Sequence, residues 1–542
     1  MGFVRSAVTS LLLASNAAAI DPIIMKGSKF FYENGTQFFM KGVAYQQEAG
    51  GGPGGQVDKD AKYIDPLADP EVCKRDVPLL AALGTNTIRT YAINPKKDHS
   101  ECMAMLEKAG IYVIADLGEP ALSINRDDPA WNVELFDRYK AVIDELAQYD
   151  NVIGFFSGNE VTNNATNTPA SAYVKAATRD TKKHIAKKIA NGHRWMGVGY
   201  AANDDAEIRV HMAQYFNCGP EEEAIDFWGY NIYSWCGKST FEKSGYDVQV
   251  DFFGNYSVPV FLAEYGCNTV GGAEGRLWDD TLALYSEKMT GVFSGGIVYM
   301  FHQEENDYGL VKIKNGKAET MKNYDRLEKV MKEVDPTGVQ MDNYEPSNSA
   351  SACPPLADDW EVADVLPPTP DASLCNCMYS SLECAPADDL EEEDFGEIFG
   401  YICGQDETAC AGIKGDTAAG VYGPYVMCNP REQLGHVLDA YYKNQGRSST
   451  ACNFNGQAQV VSPTTETKCS DALSSASSQV AFAATAVAVT SDETSGSGSG
   501  SSSDSGSGSD GESAAVGNAR MSMAAAIYGL LAMGIGAGIV LL

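Results

Sequence analysis

Basic residues are scarce in this chain. Its 40 Lys and Arg stand against 73 Asp and Glu, leaving −33 at pH 7 and a pI near 4.5. Such a surface repels phosphate backbones and no basic stripe relieves it, so nucleic acid is excluded as a partner, whereas a neutral polymer is unaffected. Histidine is scarcer still. The six (His99, His184, His193, His211, His302, His436) show no metal-ligand spacing, so no metal is expected. Only His302, beside the end of the last predicted strand, is placed near a candidate site. The chain also has no Ser nucleophile elbow, and no Gly-rich phosphate loop follows its first strand. No cofactor is implied.

Cysteine, by contrast, is plentiful, at 14 residues, and the N-terminus accounts for it. Arg5 precedes the apolar stretch 7–14, which runs into Ala17, Ala18 and Ala19, a secretory signal with cleavage after Ala19. The mature protein is therefore extracytoplasmic and disulfides are permitted. Sequons at Asn34, Asn164 and Asn255 agree with that route. At the other end, residues 474–513 grow rich in Ser, Gly and Asp and cannot bury a core, which predicts a disordered stalk. Residues 521–542 are apolar to the last position without a basic flank. With small residues at Ser513, Ala514 and Ala515, this fits a GPI-anchor signal, attached at Ser513, better than a retained spanning helix.

At 542 residues the chain is too long for one core. The reading is a signal peptide at 1–19, a catalytic barrel at 20–352, a cysteine-rich module at 353–470, a Ser/Gly-rich linker at 471–513 and an anchor signal at 514–542. In the first folded part, strand-like runs at 38–46, 85–93, 111–117, 151–160, 195–201, 227–235, 258–265 and 296–302 alternate with helix-like stretches at 70–83, 101–109, 133–149, 172–190 and 278–293. That alternation predicts an α/β fold, a (β/α)8 TIM barrel, rather than an open doubly wound sheet.

Two of these runs end alike. NVIGFFSGNE ends in Glu160 and VPVFLAEYGC carries Glu264, each where a buried parallel strand emerges. Either glutamate alone reads equally well as a salt-bridge partner or the neighbour of a helix cap. As a pair at the carboxyl ends of barrel strands, they are the proton donor and nucleophile that glycoside hydrolysis with retention needs. That chemistry predicts a raised pKa for the acid, a low one for the nucleophile, and carboxyl groups about 5–5.5 Å apart. Asn159, beside the acid, can donate a hydrogen bond to a sugar 2-hydroxyl. The other strand ends carry Gln46, Arg89, Tyr91, Asp116, Tyr233 and Tyr299, a mixture of rings and hydroxyl-binding groups that suits a sugar groove. For Tyr299, ordinary core packing is the simpler reading.

The segments YAIN (91–94), GNE (158–160), NIYSWCG (231–237), AEYGC (263–267) and GGIVYMF (295–301) together resemble the β-1,3-glucanosyltransferases of glycoside hydrolase family 72, GPI-anchored enzymes that remodel cell walls. The likeness spans roughly residues 23–340. It implies Glu160 as acid/base, Glu264 as nucleophile, and Tyr91, Asp116, Asn159 and Tyr233 lining a β-1,3-glucan site. It also implies pairing of Cys73 with Cys102, Cys218 with Cys353, and Cys236 with Cys267. The remaining cysteines, Cys375, Cys377, Cys384, Cys403, Cys410, Cys428, Cys452 and Cys469, form a second even set whose connectivity stays open. Residues 399–458 resemble the X8 module, the glucan-binding carbohydrate-binding family 43, and the acidic insertion PADDLEEEDFGE at 386–397 reads as a solvated loop. The expected activity is transfer of a cleaved glucan onto another glucan chain by a secreted monomer held outside the plasma membrane. The alternatives are an endo-β-1,3-glucanase and a wall protein that only binds glucan.

Overall fold

The computed structural model describes residues 20–47 and 63–495. Eight parallel strands form a closed barrel: β1 (Met40–Ala44), β2 (Thr87–Thr90), β3 (Tyr112–Asp116), β4 (Val152–Asn159), β5 (Gly197–Asn203), β6 (Phe227–Asn231), β7 (Val260–Tyr265) and β8 (Phe293–Val298). They neighbour one another in chain order, and β8 closes the ring on β1 through Gly295 to Val298 against Met40 to Val43. Every residue of β2, β3, β6, β7 and β8 is buried, as a parallel sheet jacketed by helices requires.

The expected helices at 70–83, 101–109, 133–149 and 172–190 appear as Pro70–Ala82, Ser100–Lys108, Val133–Leu146 and Ala170–Ala190. Their starts are chemically marked. Asp69 accepts from the backbone N–H of Glu71 and Val72 ahead of Pro70, and Asn132 accepts from Leu135 N–H. The expected helix at 278–293 is only Asp279–Leu284: turns occupy 285–292, and β8 begins three residues earlier than its apolar run suggests. Gly295 and Gly296 disguised that start. Gly295 has φ +94°, and a Cβ there would lie 2.2 Å from the Met40 carbonyl oxygen, so only glycine lets β8 close on β1.

A three-stranded antiparallel sheet (Ile23–Lys26, Lys29–Tyr32, Gln37–Phe38) precedes the barrel. Its Phe30 ring lies 6.2 Å from Phe227 and 6.3 Å from Phe261, and Phe156 meets Phe227 edge-on at 5.4 Å. Aromatic side chains thus fill the barrel interior, and the polar strand ends lie at its carboxyl mouth.

All fourteen cysteines are paired. The bonds Cys73–Cys102, Cys218–Cys353 and Cys236–Cys267 are those the family likeness implied, and the second set pairs as Cys375–Cys428, Cys377–Cys469, Cys384–Cys452 and Cys403–Cys410. The second set surrounds a small core of Ile398, Ile402, Leu434, Val437 and Leu438, contributed by helices Phe395–Gln405 and Pro430–Asn444. This region is docked on the barrel's helices. Val133 N–H donates to Met427 O at 3.0 Å, and buried Asp180 accepts from both Trp131 Nε1 at 2.9 Å and Thr369 Oγ1 at 2.6 Å.

Two expectations are corrected here. The acidic insertion is not wholly a solvated loop: Leu390 and Phe395 are buried and Phe395 opens a helix, while the acidic side chains face solvent. The stalk expected from 471 begins instead as the helix Ser470–Ser495, whose Ala476 and Ala483 are buried; small residues can form a helix where a neighbouring surface covers one face. The signal segment 1–19, Ser513 and the anchor signal 514–542 lie outside the described residues. Among the described residues no helix is long and apolar enough to cross a membrane. Asn34, Asn164 and Asn255 are all exposed.

Candidate active site

Both glutamates reach the mouth past irregularities in the ladder. The pairing of β4 with β5 slips between Phe156 and Asn159, and that of β7 with β6 slips between Leu262 and Glu264. A bulge breaks strict alternation and re-aims the side chains beyond it. Glu160 follows β4 directly with φ 48°, a left-handed conformation that costs a non-glycine residue about 1–2 kcal/mol. Its N–H donates to Ala201 O at 2.8 Å, and its carbonyl accepts from Arg126 Nη2 at 2.7 Å, which hold the residue there. Glu264 is deeper, 2 % exposed.

Arg89, fully buried at the end of β2, organises the polar groups between them. Its Nε and Nη2 donate to the two oxygens of Asp116 at 3.0 and 2.8 Å, Nη2 also donates to Asn159 Oδ1 at 3.0 Å, and Nη1 reaches Glu264 Oε1 at 3.3 Å. The fork is rigid, so these partners are placed relative to one another. Two phenols complete the cradle of Glu264: Tyr91 OH donates to Oε1 at 2.9 Å and Tyr233 OH to Oε2 at 2.8 Å. Asn231, the last residue of β6, donates through Nδ2 to Asn159 Oδ1 at 3.0 Å and to Glu160 Oε1 at 2.8 Å. The second Glu160 oxygen has no hydrogen-bond partner among the described residues.

Burial pushes Glu264 up to about 7, with Arg89 pulling it down, the charge of Glu160 adding to the rise, and the two phenols opposing it. Burial also raises Glu160, against the Asn231 hydrogen bond and the charges of Arg89 and Arg126. The raised value expected for Glu160 is thus present. The low value expected for Glu264 is not, because loss of water around the deeper carboxyl outweighs three well-placed donors. Burial holds Tyr91 and Tyr233 well above the usual phenol range, so both stay protonated donors.

The expected site residues divide by what they touch. Asn159 has its Oδ1 fixed by two donors, and its Nδ2 has no hydrogen-bond partner among the described residues. Asp116 and Gln46 each hold another residue of the site. Asp116 is taken up by Arg89, and Gln46 accepts from Tyr91 N–H and Ala92 N–H at 3.0 and 3.2 Å while donating to Ile64 O at 2.6 Å, so it fixes the β2 loop that carries Tyr91. Tyr299 is 5 % exposed and meets Tyr91, Tyr233 and Tyr308 edge-on at 6.2, 6.4 and 5.3 Å, forming the back of an aromatic wall. His302 lies outside this cluster, between Gln46 O and Asp76 Oδ2 at 3.0 and 3.2 Å.

Sequence reading missed Asn231, Tyr308 and Arg126. Asn231 ends a strand, as the predicted residues do, and was legible on that ground. Tyr308 and Arg126 come from loops without periodicity.

Comparison with known proteins agrees with this geometry. The family model described as glucanosyltransferase, of glycoside hydrolase family 72, matches residues 12–335, and that of the X8 domain matches 382–459. A 1,3-beta-glucanosyltransferase of Arthroderma benhamiae is 53 % identical over 472 residues, covering 84 % of this chain and 85 % of that protein. The 1,3-beta-glucanosyltransferase gas1 of Schizosaccharomyces pombe is 41 % identical over 476 residues, covering 86 % and 84 %. The solved structure of Saccharomyces cerevisiae Gas2p in complex with laminaritriose and laminaritetraose superposes with a TM-score of 0.73 at 40 % identity, covering 81 % of this chain and 97 % of that one. With its barrel, its paired glutamates and these likenesses, the chain belongs to the glucanosyltransferases of glycoside hydrolase family 72.

Proposed function

We propose that the protein is a retaining β-1,3-glucanosyltransferase in which Glu160 is the acid/base and Glu264 the nucleophile. A Glu264 oxygen bonds to the anomeric carbon as the glycosidic C–O bond breaks, and the leaving oxygen takes the proton of Glu160. Glu160, now a carboxylate, then takes the proton of an acceptor hydroxyl as that oxygen displaces Glu264 and a new β-1,3 bond forms. Two inversions at one carbon retain its configuration.

The observation that carries this assignment is the asymmetry of the two carboxyls. Glu264 receives hydrogens from Tyr91, Tyr233 and Arg89, which favour its ionised form, as does the positive charge developing on the sugar. Glu160 is raised by burial and keeps one oxygen available for a proton. Transfer outcompetes water, present at about 55 M, if the aromatic wall of Tyr91, Tyr233, Tyr299 and Tyr308 holds an acceptor in attack geometry, since effective molarities on the order of 10⁵ M are attainable.

A reduced β-1,3-gluco-oligosaccharide should therefore yield chains longer than itself. Products only shorter than the substrate would identify an endo-glucanase, and no products a glucan-binding protein. Glu160→Gln and Glu264→Gln should each lose several orders of magnitude in turnover while staying folded, and near-wild-type activity in either would sink the assignment. The protein is further read as secreted, anchored through a lipid at Ser513 outside the plasma membrane, and monomeric. Its X8 region is read as a second holding site for the glucan polymer.

A further inference from the structure

We infer that Asn231 is a positioning residue that decides which oxygen of Glu160 carries the catalytic proton. This rests on the acid/base role of Glu160 and goes beyond it. Asn231 is 3 % exposed at the end of β6, and its Nδ2 spends both hydrogens, one on Asn159 Oδ1 at 3.0 Å and one on Glu160 Oε1 at 2.8 Å. An N–H aimed at Oε1 leaves no room for a proton on that oxygen. In the acid form the proton therefore sits on Oε2, the oxygen without a partner among the described residues, and Oε1 serves as the carbonyl-like acceptor. In the carboxylate form the same contact persists, so the amide need not move between the two half-reactions.

The amide is locked in this orientation. Turning it over would set Asn231 Oδ1 against Asn159 Oδ1, two acceptors face to face, and Asn159 Oδ1 is itself pinned by Arg89 Nη2 at 3.0 Å. The lock holds although it leaves Asn231 Oδ1 buried with no hydrogen-bond partner among the described residues, a loss that two donated bonds outweigh. The chain Arg89, Asn159, Asn231, Glu160 also links the acid to the guanidinium that touches Glu264, so both carboxyls are oriented from one centre.

Among the described residues, the charged and titratable groups facing Glu160 are Arg126 from the loop after β3, Arg89 on β2, Glu264 on β7 and Tyr200 on β5. None of them replaces the Asn231 contact, because none donates to a Glu160 carboxyl oxygen within hydrogen-bond distance.

The test uses the full chain and two substrates, a β-1,3-gluco-oligosaccharide and the same sugar carrying a dinitrophenyl leaving group, which departs without a proton. Asn231→Ala and the isosteric Asn231→Asp should lower kcat on the oligosaccharide by about 10²-fold, with KM little changed. Read in kcat/KM, which reports the first half-reaction alone, the loss should be at least about tenfold smaller on the dinitrophenyl substrate. The basic limb of kcat/KM, set by the acid, should move to higher pH in Asn231→Ala, which loses a donor to the ionised form. It should move further in Asn231→Asp, which adds a like charge. An equal loss on both substrates with the basic limb unmoved, in either folded variant, would overturn the inference and leave Asn231 a packing residue. Glu160→Gln run beside them separates the two levels: if it retains turnover on the oligosaccharide, the acid/base reading fails, and if it does not, a negative result at Asn231 counts against this inference alone.

Discussion

Glu264 shows most directly how one residue's surroundings become a measurable property of the fold. Its carboxyl holds a proton up to about 7, against an ordinary glutamate value of 4.5, because burial outweighs Arg89 and the two phenols. The folded chain therefore binds more protons than the unfolded chain between those values, and the stability contributed by this group is complete below 4.5 and declines as pH rises to 7. Gln cannot ionise, so Glu264→Gln should gain on the wild type across that window by up to roughly 3 kcal/mol. Thermal melts at pH 4.5 and 7.5 should show the gap between the two proteins widening, whatever constant offset the amide adds. A gap independent of pH would mean that Glu264 is ionised throughout. At this scale the placement of Glu160 and Glu264 at the barrel mouth was legible from strand ends alone, whereas the partner of Asp116 was not. Its place at the end of β3 looks like that of a sugar ligand, and its pairing with the fork of Arg89, 27 residues away in sequence, exists only in the fold.

At the scale of elements, periodicity found all eight strands and missed the devices that make them a site. The slips beside Asn159 and Glu264 leave no mark in a run such as VFLAEY, since a bulge depends on how a neighbouring strand is paired. The start of β8 was misplaced for a related reason. Ser294, Gly295 and Gly296 have poor strand propensity, yet at Gly295 the backbone of β1 comes so close that no side chain fits. The short helices Arg209–Phe216 and Tyr246–Phe253 were also overlooked, each being two turns long.

Over the whole molecule, the two cysteine sets and the two family matches mark out a barrel and a smaller partner docked on its helices. The smaller part presents Tyr401, 54 % exposed, with Tyr441 and Phe454 at 6.4 and 5.9 Å from it, and Phe454 is held at φ 43°. Three rings at a surface suit the C–H faces of a neutral sugar polymer. Tyr401→Ala combined with Phe454→Ala should weaken retention of the protein on insoluble β-1,3-glucan by roughly tenfold or more while turnover of short oligosaccharides is kept. Unchanged retention would assign the holding of polymer to the barrel. The anchor is tested on the intact protein in membranes. If the proposed GPI signal is removed and replaced by lipid near Ser513, phosphatidylinositol-specific phospholipase should release the protein, whereas recovery of peptides from 523–542 in the mature protein would indicate a retained segment.

Fold class, the placement of the two glutamates at strand ends and the division of the cysteines could be determined from sequence because each rests on local information: strand period, the residue that ends a run, and parity along the chain. The family likeness added the barrel disulfides. Tertiary structure decided the division of labour within the site. Arg89 contacts Glu264 across 175 residues and Asn231 contacts Glu160 across 71, and such pairings exist only once the barrel closes. Closure also sets the water content of the mouth, and loss of water around Glu264 is what raised a carboxyl that sequence reasoning had expected to find low.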